Sequence, residues 1–152
     1  MTGRVGAMVL AAALAGGCGS GGGPGDGDGD GGAVLPAAVE CGAQYRPDAE
    51  QLAGAEDATL RVERGDGAAG GSGTLAFDLM TLQVTYRGEA PEGRTVDLVV
   101  TTAAGEPLAR TLYQVGGTAL REVGFAGGHG FTGLHYVDHG GAQLQVWCTA
   151  AD

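Results

Sequence analysis

Near the C-terminus, His129, His135, Asp138 and His139 lie close together in the chain. Imidazoles beside a carboxylate form a donor set that suits zinc or copper. His135 and His139 share strand parity, so one strand would present both on one face, and with Asp138 they are the candidate metal ligands. The bland reading is a polar turn, since His139 adjoins Gly140-Gly141 and His129 sits in a Gly-rich stretch. A nucleophile is harder to find. The serines are Ser20 and Ser72, and Ser72 lies in GGSGT, which misses the G-x-S-x-G elbow because Thr74 stands where the last Gly belongs. Glu89 and Glu92 offer the paired carboxylates of glycoside hydrolysis, at a spacing any acidic surface loop would also show. Lys and Asn are absent, which removes phosphate-loop GK[ST] motifs, Schiff-base lysines and N-glycosylation acceptors. No catalytic residue is assigned and no cofactor is implied.

A binding residue is easier to nominate. Trp147 is the single tryptophan, and Gln143 and Gln145 share its parity. An aromatic ring flanked by amides suits a sugar ring or a protein partner, because aromatics bring large contact area at little entropic cost. The alternative is that the segment around Cys41 covers Trp147. Whether His135 joins this set depends on the turn between two terminal strands. A two-residue Gly140-Gly141 turn pairs Val137 with Leu144 and puts His135 beside Val146 on the apolar face. A three-residue His139-Gly140-Gly141 loop shifts the register by one, setting Tyr136 with Leu144 and Val146 and leaving His135, Gln143, Gln145 and Trp147 together on the other face. The second register is the expectation, because it keeps the apolar residues together and glycine supplies the left-handed position such a loop requires.

The elements that must position these residues are strands. Leu60 and Val62 alternate with charged residues, and after a Gly-rich gap Leu75, Phe77 and Leu79 alternate. The parity then changes across Met80 and Thr81, so that Leu82, Val84 and Tyr86 continue it after a bulge or break. Val96, Leu98 and Val100 follow, then a turn over residues 103–107 and runs over 108–115, 119–125, 132–137 and 143–149. This pattern predicts an all-β fold, an antiparallel β-sandwich of about seven or eight strands. Only residues 47–58 (PDAEQLAGAEDA) read as a short helix.

Eighteen acids against eight arginines give a net charge of -10, which repels a phosphate backbone and excludes nucleic acid as a partner. Residues 19–32 (GSGGGPGDGDGDGG) carry no side chain able to enter a core and read as a flexible tether. Within it Asp26, Asp28, Asp30 and Gly31 reproduce the first half of a calcium loop. The bidentate acid required at its twelfth position is replaced by Ala37, so an acidic linker is the reading taken.

Residues 1–18 read MTGRVGAMVLAAALAGGC: one Arg, an uncharged apolar run too short to span a bilayer, then small residues up to a Cys. The ending Ala15-Gly16-Gly17-Cys18 resembles the lipobox of bacterial lipoproteins, with Ala15 where Leu is usual. The resemblance implies cleavage before Cys18, lipid on Cys18, and a membrane-anchored protein of the cell envelope whose domain faces the periplasm or the exterior. Ordinary secretion with a free Cys18 is the alternative. Lipidation of Cys18 would leave Cys41 and Cys148 of the three cysteines to form a disulfide linking the domain ends. Their oxidation would also remove a thiol nucleophile. The stretch VDLVVTTAAGEPLARTLYQ is similar to bacterial prepeptidase-type and immunoglobulin-like accessory modules. A true immunoglobulin domain is not expected, since no Trp lies between the two cysteines in core spacing.

The organisation expected is therefore a signal peptide at 1–17, the lipidated Cys and tether at 18–32, and a β-sandwich at 33–152. The expected function is a non-catalytic, lipid-anchored envelope or surface protein that binds a protein or glycan partner. A metal-binding envelope protein using His135 and His139 is the alternative, and a lipid-anchored hydrolase the third.

Overall fold

Eight antiparallel strands form two four-stranded sheets packed face to face. The computed structural model describes residues 35–89, 93–115 and 129–152. The leader, Cys18, the tether with its aspartates, Glu92 and the run at 119–125 lie outside these residues. The strands are β1 (Ala38–Arg46), β2 (Glu56–Glu63), β3 (Gly71–Ala76), β4 (Met80–Arg87), β5 (Thr95–Thr102), β6 (Pro107–Gln114), β7 (His135–His139) and β8 (Ala142–Ala151). One sheet has the order β2-β1-β8-β7 and the other β3-β4-β5-β6. The first and last strands are thus neighbours at the centre of one sheet, and the other sheet is a simple meander.

Alternation puts one residue in two between the sheets. Val39, Cys41, Ala43 and Tyr45 of β1 and Leu144, Val146 and Cys148 of β8 face Met80, Leu82, Val84 and Tyr86 of β4 and Val96, Leu98 and Val100 of β5, all buried. The phenolic hydroxyl of Tyr86 donates to the Pro36 carbonyl at 3.0 Å and fixes the chain entering β1. Cys41 pairs directly with Cys148 across the β1–β8 ladder, and the two form a disulfide under the sheet.

Two expectations are corrected. No described residue is helical, and the segment 47–55 is a series of turns leading into β2. The Asp48 carboxylate accepts from the Glu50 backbone N–H at 2.9 Å and from Gln51 Nε2 at 2.8 Å, a local alternative to helical bonding. Gly54, at φ 78°, then ends any helical path, and pairing along β1 recruits residues from Glu56 onward into β2. The parity change near Met80 is a break: Phe77 N–H donates to the Met80 carbonyl at 2.8 Å, and the chain reverses through Asp78-Leu79 into a hairpin.

The second correction concerns the terminal hairpin, where His135 pairs with Val146, Val137 with Leu144 and His139 with Ala142. The turn is the two-residue Gly140-Gly141, with φ of 60° and 87°. Two successive left-handed residues suit the primed turn whose twist matches the flanking strands, and a Gly-Gly pair adopts it without Cβ strain. His135 therefore points into the sandwich and Tyr136 outward, 58% exposed, the reverse of the expected faces.

Candidate binding face

The β2-β1-β8-β7 sheet turns a polar face to solvent. In register, one row reads Thr59, Gly42, Trp147 and the next Asp57, Gln44, Gln145, Tyr136. A third places Arg46, Gln143 and Asp138 side by side. Sheet parity brings Trp147, Gln143 and Gln145 to one face, as their spacing predicts, while His135 is on the opposite side.

Trp147 sits in a gap made for it. A Cβ at position 42 would lie within 2.5 Å of its Cε2 and 2.9 Å of its Nε1, so the indole lies across the bare Gly42 backbone. The segment around Cys41 does meet the tryptophan, but as a floor beneath a ring that stays partly exposed. His129 packs against the indole edge, with ring centroids 5.6 Å apart and planes at 63°.

Beside the indole, side chains hold one another flat. Gln145 Nε2 donates to Gln143 Oε1 at 2.9 Å, and Gln143 Nε2 donates to Asp138 Oδ1 at 3.0 Å. On the β1 side, Gln44 Nε2 donates to Asp57 Oδ1 at 2.9 Å, while Arg46 Nε and Nη2 donate to Gln44 Oε1 at 3.0 and 2.8 Å. Each amide nitrogen gives one of its two protons to this network; Gln145 is itself buried, so the half-buried Gln143 and Gln44 amides and the exposed Asp138 and Asp57 carboxylates are what remain to meet a ligand. Gln44, Arg46, Asp57 and the Gly42 floor were not among the residues nominated from sequence, and Tyr136 was expected to face the core. Pairing with β1 places the first three, and a strand built of Ala, Gly and short polar residues shows too little contrast for its alternation to be read.

The candidate metal ligands are separated. His135 and His139 share a face, but Asp138 projects to the other, bound to Gln143. Among the described residues, no group of three or more His, Cys, Asp or Glu is placed to hold a metal ion. The arrangement that would unite them needs a carboxylate on the His135 side, which strand alternation denies to Asp138.

His135 instead closes the seam between the sheets. Its Nε2 hydrogen-bonds the Tyr113 hydroxyl of β6, which also donates to the Thr132 carbonyl at 3.1 Å. A phenol has one proton. With that proton given to Thr132, Nε2 must carry the hydrogen of the other bond. Tyr113 further packs edge-on to Phe131, with centroids 5.8 Å apart, and burial holds its phenol above the ordinary pKa of 10.0. A small apolar cavity beside this pair, lined among others by Leu82, Leu98 and Val146, holds no further ionisable group. On the outer face of the other sheet, Arg110 grips the buried Asp97 carboxylate through Nε and Nη2 at 3.0 and 2.7 Å, with Arg87 at 3.8 Å. That cluster ties β4, β5 and β6 together.

Compared with known proteins, the chain matches no family model, no curated protein and no solved structure. The fold and this face therefore define its class only as a disulfide-closed β-sandwich with an aromatic and amide-bearing sheet face.

Proposed function

We propose that this protein is an exported, lipid-anchored envelope or surface protein that binds a protein or glycan partner through the outer face of the β2-β1-β8-β7 sheet, without catalysis. The observation that carries the binding reading is Trp147 lying across Gly42, beside amides already oriented by Asp138 and Asp57. Side chains fixed before binding lose less entropy on contact, which favours a recognition surface. The lipobox-like AGGC at residues 15–18 supports the anchor. The Cys41–Cys148 bond supports the exported address, because such bonds persist in oxidising compartments.

Two measurements test this reading. Metabolic labelling with an alkyne fatty acid should tag the wild-type chain and not Cys18→Ala; equal labelling of both removes the lipid anchor. Trp147→Ala should abolish partner capture at the cell surface while shifting the unfolding midpoint only slightly, since the ring rests on the sheet exterior. A hot-spot aromatic of this kind is worth about 2 kcal/mol or more, roughly 30-fold in affinity. Unchanged capture, or a collapse of the fold, would leave Trp147 a structural residue.

A further inference from the structure

We infer that the occupant of this face is a neutral polysaccharide chain, an assignment that rests on the binding reading above and narrows its partner. Three observations converge on it.

The first is shape and chemistry. Trp147 offers an indole laid along the sheet, and Tyr136 stands one diagonal step away, opposite Gln145 on the neighbouring strand. Diagonal residues on a sheet face remain within reach of one extended ligand. Apolar C–H faces of sugar rings match aromatic platforms, and ring hydroxyls, each donor and acceptor, match amides and carboxylates that have both functions to offer. Gln143 and Asp138 provide such a pair directly beside Tyr136.

The second is charge. Glu40, Asp57 and Asp138 stand on this face, whereas its arginines are engaged, Arg46 with Gln44 and Arg61 with Glu63 at 2.8 Å. In a chain of net charge -10, an anionic glycan meets repulsion here, and among the described residues of this face both arginines are already hydrogen-bonded to neighbouring side chains.

The third separates a glycan from a protein. Protein interfaces centre on an apolar patch depleted in charge, but outward positions here are mainly amide, hydroxyl and charged. The large exposed aliphatic residues lie elsewhere, Leu52 between β1 and β2 and Leu112 on the other sheet. The floor is also rigid, being the two central strands joined by the disulfide, which suits a weakly held flexible chain that gains most from a preformed site.

The test uses the full chain in detergent on an array of neutral gluco-, manno- and galacto-oligosaccharides, with uronate oligosaccharides alongside. Neutral glycans should be captured and uronates not. Trp147→Ala should remove the signal, and Tyr136→Ala, at an exposed position outside the core, should weaken it at least tenfold. Leu112→Ala should leave it unchanged. Equal capture of uronates, or no capture of any neutral glycan, overturns the polysaccharide assignment. Should Trp147→Ala then abolish capture of a protein partner instead, the binding face stands and only its ligand class falls. If Trp147→Ala alters capture of neither, both fall.

Discussion

The Cys41→Ala/Cys148→Ala double variant is expected to lose about 2–5 kcal/mol of unfolding free energy, the usual cost of deleting a native disulfide from a small domain. The bond spans 107 residues of sequence, and in the chain-entropy model closing a loop of that order constrains the unfolded chain by about 4.7 kcal/mol. The folded state changes less. Cys41 and Cys148 are fully buried and face each other across a ladder that runs from Ala38 opposite Ala151 to Arg46 opposite Gln143. The strands therefore stay paired when the sulfurs are removed, and the loss falls mainly on the unfolded ensemble. Urea melts should show a lower midpoint, with a steeper dependence on denaturant because the released chain exposes more surface. An unchanged midpoint would mean that the crosslink does not restrict the unfolded chain. The double variant should also keep its glycan or protein capture below the melting transition, because Trp147 rests on Gly42, not on the sulfurs.

His135→Ala is expected to cost about 1–3 kcal/mol, and Tyr136→Ala no more than about 0.5 kcal/mol. The first removes an inward ring next to Val146 and its bond to the Tyr113 hydroxyl, which ties β6 to β7 across the sandwich. The second removes a ring that is 58% exposed. Tyr113→Phe alone should reproduce part of the His135→Ala loss, and the double variant His135→Ala/Tyr113→Phe should lose less than the sum of the two, since both delete one shared bond. A large loss for Tyr136→Ala with none for His135→Ala would restore the three-residue turn and swap the faces of the hairpin. The same pair of variants thus reports on the candidate site, because only the two-residue turn puts Tyr136 beside Trp147.

Alternation alone made most of the sandwich legible. Leu82, Val84 and Tyr86, then Val96, Leu98 and Val100, repeat every second residue with strong contrast, and they became the buried faces of β4 and β5. The turn after β5 was equally plain: Thr102 and Glu106 exchange bonds at 2.8 and 3.1 Å around Gly105 at φ 87°. Strand β1 was missed, because Ala, Gly and Cys on its faces differ too little to show a period. The helix expected near residue 50 failed because a run of helix formers is a weak preference, and an Asp48 turn with strand pairing outweighs it.

Within the candidate site, Trp147, Gln143 and Gln145 share a face by parity, a relation internal to one strand that composition and spacing determine. Strand periodicity likewise determined the all-β class, and the cysteine count pointed to the partner of Cys41 once Cys18 was set aside. Which of Tyr136 and His135 accompanies Trp147 was decided only by tertiary structure. A side-chain period of two means that one residue of slip exchanges the faces, and Gly140-Gly141 is chemically compatible with either loop. What selects between them lies outside the hairpin, in the Tyr113 hydroxyl of β6 that meets His135 inside the sandwich. The Gly42 floor under Trp147 has the same origin, since residues 42 and 147 become neighbours only when the first and last strands pair.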